Sequence, residues 1–455
     1  MLFPTISFVL FFLLVSVLWP LLPDSRQARS GFLAVANALF YAAASVPLLA
    51  YLTGWSICLW WAGRKGSFAR LTVGVGVLQL AFWKTFELLP KSQLPEPFAH
   101  WVVPLGVSFF TFQGLTYLFA RQQKQLLQPW SLLDVLGFVS FFPTVLSGPI
   151  LRATDWERQI ASDPRKNQTP ATFSRAMGWL CLGLFYKLVL STLLGESVDA
   201  AWSEPSEQNP VSLWLSVYGY SFQLYTDFCG YSYLAAAVAL LLGFEVPRNF
   251  DRPYLSQSVQ EFWRRWHMTL SHWLRDYLYI AALKGNAKGK RWQVVNVVVT
   301  FLVCGAWHGL ALHYLVWGVW QALGVAYSTV AKLWLSPTSK PVSTAGRILR
   351  WFLAFHFIAF GWVWFRAPDF TTALEFFKAL VAPGGTWQAE HGMTLLVIVG
   401  AALAHLGEHR LADAGNVLTR YVSRTWAQLV FWAVVLMTIL AASPAGLPPF
   451  IYFKY

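Results

Sequence analysis

The sequence predicts an all-α fold, a polytopic bundle of transmembrane helices, and three observations support this prediction. Of the 455 residues, 56% are hydrophobic and only 12% are charged, whereas soluble domains carry about 25% charged residues. The chain contains 25 Trp and 36 Phe, and large aromatic rings are enriched where helices meet the surface of a bilayer. Apolar runs approaching the roughly 20 residues that a helix needs to cross a membrane recur along the whole chain.

These runs predict one membrane-embedded domain over residues 1–455, with roughly eleven to thirteen crossings. The stretch 31–62 is too long for one crossing and is interrupted at Ser45–Pro47, which indicates a helical hairpin. The stretch 130–150 contains Pro143 and Pro149, which break helices, so we expect a re-entrant segment there. The runs cover residues 2–22, 68–89, 101–120, 130–151, 172–194, 211–244, 294–314, 314–333, 349–365, 394–406 and 426–442.

The net charge of +13 indicates the orientation of the protein rather than a nucleic-acid partner. Its basic residues lie in short loops between apolar runs, as in the cytoplasmic loops of membrane proteins, and not on one soluble face. Residues 196–209 contain four acidic residues and no basic one, as expected of an external loop. The strongly basic residues 247–291 should be cytoplasmic.

Residues 260–280 are predicted to form an amphipathic helix at the cytoplasmic interface. An apolar stripe recurs there at helical spacing, beside a polar stripe that includes Arg264, His267 and Arg275. The segment is too polar to span a bilayer. It would either anchor the protein, with its arginines on lipid phosphates, or contribute to a site. The apolar stripe consists of Phe262, Trp266, Leu270, Trp273 and Tyr277.

His308 is the strongest candidate for catalysis because it lies deep in an apolar run. Asn296, Thr300, Cys304 and His308 are spaced four residues apart, so all polar groups of this run share one helix face. Exposing such a face to lipid would cost free energy, so we expect it to point into the interior of the bundle or into a water-filled cavity. An imidazole can act as a general base near neutral pH; alternatively, it bonds to a neighbouring helix. Gly305 and Gly309 should leave space beside it.

Gln113, Gln223 and Asp227 also lie in apolar surroundings, and a buried carboxylate such as Asp227 requires a partner. The four cysteines are isolated, and no HExxH, GxSxG, Walker A or GxGxxG motif occurs. We therefore expect neither a metal site nor a bound cofactor.

These residues lie in motifs that resemble the membrane-bound O-acyltransferase family. The resemblance is greatest to its bacterial branch that acts in alginate O-acetylation and teichoic-acid D-alanylation. The motifs concentrate in a core over residues 104–324. They are 104–113 (PLGVSFFTFQ), 225–232 (YTDFCGYS), 249–254 (NFDRPY), 261–267 (EFWRRWH), 273–279 (WLRDYLY), 307–309 (WHG) and, near the end, 449–453 (PFIYF).

The resemblance implies that His308 is the catalytic histidine and His267 the second active-site histidine. It implies that an acyl group, usually acetyl, passes from cytoplasmic acetyl-CoA across the bacterial inner membrane to a hydroxyl acceptor. The acceptor would be a periplasmic SGNH-type acyltransferase or a small protein, and then a polysaccharide or cell-wall polymer. Substrate contacts are expected from Gln113, Asp227, Arg264, Arg265, Arg275, Asn296 and Thr300.

Two positions depart from the motifs of the branch, and two other functions remain open. Tyr233 stands where the branch often has aspartate, and Lys284-Gly-Asn286 where it has Gly-Gly-Asn. A transporter or channel for a glycan or lipid intermediate would use His308 as a pore-lining or proton-relay group. A scaffold that only docks a periplasmic acetyltransferase would need the histidines for structure alone.

Overall fold

The computed structural model describes residues 5–90, 92, 95–96, 100–202, 204–282, 284, 289–334, 342–422 and 425–444. Regular structure in these ranges is helical, with no strand among them, which confirms the all-α fold. The motif residues 285–286 and 449–453 lie outside the described ranges. The helices are α1 Ile6–Leu18, α2 Arg26–Ala42, α3 Val46–Lys65, α4 Ala69–Phe86, α5 Val107–Gln122, α6 Leu132–Val139, α7 Ala153–Ser162, α8 Pro170–Leu184, α9 Ser191–Val198, α10 Pro210–Leu241, α11 Val259–Arg265, α12 Met268–Trp273, α13 Lys290–His308, α14 Leu312–Trp334, α15 Thr344–Arg366, α16 Phe370–Leu380, α17 Ala389–Ala412, α18 Ala414–Tyr421 and α19 Thr425–Ala442.

Five helical segments within the described ranges are long and apolar enough to cross a membrane. Two shorter apolar helices cover Ile6–Leu21 and Trp426–Ala442. The protein is therefore a multi-pass membrane protein, while the total of roughly eleven to thirteen crossings stays a prediction. The five segments are Val46–Lys65, Pro170–Trp202, Pro210–Leu241, Thr344–Arg366 and Ala389–Ala412.

The chain folds into two compact units, and α10 and α17 each contribute residues to both. The first unit consists of the described parts of Met1–Phe185, Gly230–Pro247 and Arg410–Phe453. The second consists of Tyr186–Cys229 and Arg248–His409 in their described parts. Both histidines proposed from the sequence belong to the second unit.

In the first unit, the predicted hairpin is present as α2 and α3. Ser45 ends the break between them, and its side chain accepts a hydrogen bond from the backbone N–H of Leu48, which caps α3. Gly66 follows α3 with a φ of +60°, a conformation that glycine adopts without strain. Consequently the basic residues at the start of α2 and the end of α3 lie on the same side of the hairpin.

The predicted break in residues 130–150 is also present: α6 ends at Val139, and turns continue to Arg152 before α7 begins. The backbone here is buried, so its polar groups require partners within the protein. Asn37 accepts from the N–H of Phe142 (2.9 Å) and donates to the carbonyl of Gly137 (3.1 Å). The side-chain amide of Gln113 donates to the carbonyl of Phe138 (2.5 Å). Helix-breaking prolines are tolerated here because the freed peptide groups are paired.

In the second unit, the predicted interfacial helix over residues 260–280 is corrected to three pieces. Helix α11 ends at Arg265, α12 begins at Met268, and a π-helical stretch covers Leu274–Ala282. His267 lies at the break in the left-handed region, with φ 42° and ψ 53°. Because of this break, the residues of the predicted polar stripe do not share one face: His267 is buried, while Arg264 and Arg275 are exposed. Phe262, Trp266, Leu270 and Trp273 of the apolar stripe are buried inside the protein.

Candidate active site

His308 is the last residue of α13, and only 7% of its surface is exposed. Its imidazole lies among aromatic rings, with centroid distances of 5.0 Å to Trp317 and 5.0 Å to Phe365. Both rings are nearly perpendicular to the imidazole, an arrangement that aromatic rings favour. The ring of Trp307 lies at 4.5 Å. His308 is thus held in a mostly apolar enclosure in which few orientations are open to it.

The predicted polar face of α13 points into the protein. Asn296, Cys304 and His308 are buried, and Thr300 is half-buried. Thr300 donates its hydroxyl hydrogen to the carbonyl of Asn296 (2.7 Å). The opposite face of α13 is exposed at Val295, Leu302 and Val303, among others. Helix α13 therefore has an exposed apolar face and a buried face that carries its polar side chains.

The expectation that Gly305 and Gly309 leave open space beside His308 is wrong. A β-carbon at Gly305 would lie 2.7 Å from the carbonyl oxygen of Tyr314 and 3.1 Å from Cα of Gly318. At Gly309, it would lie 2.4 Å from Cδ2 of Tyr314. The small residues therefore permit close packing of α13 against α14, and the space at these two glycines is filled by α14.

A cavity of about 460 Å³ lies in the second unit, within the size range of ligand pockets (about 300–1,000 Å³). Thr300 and Cys304 contribute to its wall from the polar face of α13, and Cys304 lies one helical turn, about 6 Å along the axis, from His308. The remaining lining residues are Gln260, Trp263, Arg264, Leu270, Ser271, His272, Leu274, Arg275, Tyr279, Ile280, Gln293, Val297, Phe301, Val325, Thr329, Lys332 and Leu333.

Three cationic side chains line this cavity: Arg264, Arg275 and Lys332, and all three residues are exposed. Arg264 and Arg275 were among the residues expected from the sequence to contact the substrate. Lys332 was not, because a single lysine near the end of an apolar helix is common and does not indicate a site. Arg265 is not among the lining residues. Its guanidinium bonds to the carboxylate of Glu261 (2.8 Å), one turn earlier on α11.

An aromatic cluster connects the surroundings of the two histidines. Trp317, which contacts His308, stacks on Trp362 at 6.0 Å, and Trp362 lies 5.1 Å from Trp266. Trp266 immediately precedes His267, whose own ring meets the ring of Phe228 at 4.6 Å. Neither histidine is among the residues that line the cavity.

The burial of His267 has a consequence for stability. Burial lowers the pKa of His267 to about 3, whereas an unfolded histidine titrates near 6.5. Below pH 6.5 the unfolded state therefore binds more protons, so the folded state loses stability as the pH falls towards 3. We expect a contribution of about 1.4 kcal/mol per pH unit over this interval.

The test compares the wild type with His267→Gln in free energy of unfolding in detergent at pH 7 and pH 5. Between these values the wild type should lose about 2 kcal/mol more than the variant. His100→Gln is the control, because 79% of the His100 side chain is exposed. Equal losses in the wild type and His267→Gln would contradict the assignment.

The partner that Asp227 requires is Lys187. The ammonium group of Lys187 bonds to Oδ1 of Asp227, and the hydroxyl of Ser191 donates to the same oxygen (3.3 Å). Lys187 lies in a π-helical turn, Phe185–Leu190, between α8 and α9. Asp227 therefore forms a buried ion pair between helices, and its contact with a substrate stays a prediction. Gln223, one turn earlier on α10, is also buried.

Gln113 bonds to the protein backbone through both ends of its side-chain amide. It belongs to the first unit, where its amide oxygen accepts from the backbone N–H of Leu151 (3.3 Å) in addition to the bond from its nitrogen to Phe138. The amide thus bonds to the last turn of α6 at one end and to the turns before α7 at the other.

Sequence reasoning missed a buried polar group on α17. Glu408 is buried and accepts a hydrogen bond from the hydroxyl of Tyr225, and Sγ of Cys229 lies 3.7 Å from its other oxygen. On the same helix, Nε2 of His405 accepts from the backbone N–H of Tyr254 (3.3 Å). The apolar run predicted from the sequence ends at residue 406, whereas α17 continues to Ala412 and so includes Glu408.

Within the described ranges, no group of three His, Cys, Asp or Glu side chains is placed to hold a metal ion.

Comparison with known proteins identifies the family. A profile of the membrane-bound O-acyltransferase family matches residues 71–363. The chain is 30% identical to a probable alginate O-acetylase of Pseudomonas putida, covering 95% of this chain and 96% of that protein. It is 29% identical to a peptidoglycan O-acetyltransferase of Helicobacter pylori, covering 90% and 82%. It is also 29% identical to a teichoic acid D-alanyltransferase of Bacillus subtilis, covering 65% and 76%. The chain therefore belongs to the membrane-bound O-acyltransferase family and is an O-acyltransferase.

Proposed function

We propose that the protein transfers an acetyl group from cytoplasmic acetyl-CoA to a hydroxyl acceptor on the periplasmic side of the bacterial inner membrane. One observation carries this proposal: a cavity lined by three exposed cations also has Thr300 and Cys304 in its wall, and Cys304 lies one helical turn from His308. The final acceptor would be a polysaccharide or cell-wall polymer, in keeping with the names of the relatives. A periplasmic SGNH-type acyltransferase or a small acceptor protein would receive the group first.

The lining of the cavity suits coenzyme A in both charge and polarity. Its phosphates would meet Arg264, Arg275 and Lys332, since guanidinium and ammonium groups form charge-assisted hydrogen bonds with phosphate. The apolar wall, which includes Trp263 and Val297, would take the less polar pantetheine arm. The thioester would then lie towards Thr300, Cys304 and His308.

In this mechanism His308 acts as a general base. Its imidazole takes the proton of the acceptor hydroxyl as the oxygen attacks the carbonyl carbon of the thioester. A carbon–oxygen bond forms, the carbon–sulfur bond breaks, and the imidazolium returns its proton to the departing sulfur, which leaves as the free thiol of coenzyme A. The surrounding rings of Trp317 and Phe365 exclude water, which would otherwise compete with the acceptor.

His267 would act as an uncharged group. Because burial keeps its pKa far below neutral, it can offer a hydrogen bond to the donor or acceptor but not a positive charge. Its proposed role is to orient the reacting groups.

The aromatic enclosure of His308 favours acyl transfer over conduction through a pore. A pore-lining or proton-relay histidine requires a continuous polar path on both sides. The rings of Trp307, Trp317 and Phe365 instead cover part of the imidazole of His308 with apolar surface.

The donor proposal is tested by removing the three cations together. We expect Arg264→Gln/Arg275→Gln/Lys332→Gln to raise the KM for acetyl-CoA about tenfold, which corresponds to about 1.4 kcal/mol of lost binding. The KM for acetyl-pantetheine, which lacks the nucleotide phosphates, should not change. Release of the free thiol from either donor by purified protein in detergent provides the measurement.

A matched control removes the same charge elsewhere. Arg158→Gln/Arg347→Gln/Lys378→Gln changes three exposed residues that do not line the cavity, and should leave both KM values unchanged. If the cavity variant changes the KM for both donors equally, or for neither, its cations do not bind the phosphates of coenzyme A.

A further inference from the structure

His267 has an unusual backbone conformation for a histidine. Its φ of 42° and ψ of 53° lie in the left-handed region, which is unfavourable for residues with a β-carbon. Such conformations persist where surrounding contacts determine them, and they concentrate at functional sites. The contacts that hold His267 in this conformation therefore matter for any role of its side chain.

The helix that follows His267 is capped by a distant residue. His267 is at the N-cap position of α12, but its side chain makes no capping hydrogen bond. The carbonyl oxygen of Asn249 instead accepts from the N–H of Met268 (2.8 Å). Oδ1 of Asn249 accepts from the N–H (3.3 Å) and the hydroxyl (2.6 Å) of Thr269. Asn249 thus does for α12 what an N-cap residue does for its own helix.

The segment that carries Asn249 is itself firmly anchored. Two residues later, the N–H of Asp251 donates to the carbonyl of Arg265 (3.0 Å), so the segment bonds to the chain on both sides of His267. At its other end, the hydroxyl of Tyr254 donates to the carbonyl of Ser221 (2.7 Å) and accepts from Nε1 of Trp362 (3.1 Å). Residues 249–254 therefore connect α10 and α15 to the break between α11 and α12.

Capping by Asn249 explains why a histidine can occupy the N-cap position of α12. An N-cap residue usually uses its side chain to satisfy the first N–H groups of the helix. Because Asn249 satisfies them, the imidazole of His267 is directed to the buried interior, where it meets the ring of Phe228.

We propose that Asn249 is the positioning residue of His267: its side chain caps α12 in place of His267 and so fixes the imidazole in the active site. This proposal rests on the proposed function, in which His267 orients the reacting groups. Asn249 itself need not touch the substrate, so its loss should affect turnover more than donor binding.

The experiment compares two variants of similar size in the purified full-length protein, with acetyl-CoA as donor and thiol release as readout. Asn249→Leu removes the acceptor oxygen, and we expect kcat to fall about tenfold to a hundredfold while the KM for acetyl-CoA changes less than about threefold. Asn249→Asp retains an oxygen at the cap and should restore most of the lost kcat. Equal losses in both variants, or an unchanged kcat in Asn249→Leu, would overturn the proposal.

A second pair of variants applies if Asn249→Leu fails to fold. Thr269→Val removes the hydroxyl that bonds to Asn249 and should lower kcat, whereas Thr269→Ser retains it and should not. In a His267→Gln background, Asn249→Leu should cause no further loss of activity, because Asn249 acts through His267. An independent further loss there would show a purely structural role. Turnover by the wild type in the same preparation establishes acyl transfer, so a failure of the Asn249 proposal is distinguishable from a failure of the function itself.

Discussion

Replacing Asp227 by leucine should lower the free energy of unfolding by about 3–5 kcal/mol, because the variant leaves the ammonium group of Lys187 buried without its carboxylate. The two side chains are 1% and 6% exposed, and they lie in helical segments that are long and apolar enough to cross a membrane. Neither water nor lipid can compensate the stranded charge there.

The control for this prediction removes both charges. Lys187→Met/Asp227→Leu replaces the pair by apolar side chains, so it should recover most of the stability that Asp227→Leu loses. Asp155→Ala, which breaks the exposed pair of Asp155 with Arg158, should cost no more than about 1 kcal/mol. Unfolding in mixed micelles with increasing denaturing detergent measures all three. A double variant as unstable as Asp227→Leu would show that the ion pair does not carry the effect.

Replacing His308 by glutamine should lower the rate of acyl transfer by about a hundredfold to ten-thousandfold, the usual contribution of a general base. Glutamine approximates the size of the imidazole and can form hydrogen bonds, but it cannot accept a proton at neutral pH. The packing of α13 on α14 through Gly305 and Gly318 should persist, so the variant should fold.

In cells that depend on this protein, the acetyl content of the modified polymer provides the measurement. His308→Gln should abolish acetylation at an unchanged level of membrane-inserted protein. His100→Gln should retain it, since this exposed histidine makes a surface pair with Glu96. Normal acetylation in cells that carry His308→Gln would be incompatible with a catalytic role.

The parts of the fold that depend on local pattern were predictable from the sequence. Polar residues every four positions identified the inward face of α13, because that spacing returns to one side of a helix. The interruption at Ser45–Pro47 identified the break between α2 and α3, because serine caps helices and proline is tolerated only in their first turn. Both signals lie within a few residues of the feature that they predict.

The parts that depend on distant residues were not predictable. The periodicity of residues 260–280 favoured one continuous helix, and the break at His267 is stabilised by Asn249, eighteen residues earlier. The partner of Asp227 is Lys187, forty residues away in the sequence. Lys187 lies in a run that otherwise resembles an ordinary span. For the same reason, the bonds of Gln113 to the backbone of Phe138 and Leu151 were not predictable from the sequence.

The expectation about Gly305 and Gly309 was wrong for an instructive reason. Small residues beside a polar group can create space for a ligand or allow a neighbouring helix to approach, and the sequence does not distinguish these uses. Here the space is taken by Tyr314 and Gly318 of α14. The cavity instead lies along the same face of α13, next to Thr300 and Cys304.

The central claim, that His308 promotes attack on a thioester bound in this cavity, is tested most directly by thiol release from acetyl-CoA. The measurement uses purified wild-type protein and His308→Gln in detergent with a hydroxyl acceptor, and acetyl-CoA binding is measured on the same samples. The account predicts equal affinity for acetyl-CoA within about threefold and a rate of thiol release at least about a hundredfold lower in His308→Gln. Equal rates of thiol release in the two proteins would contradict it.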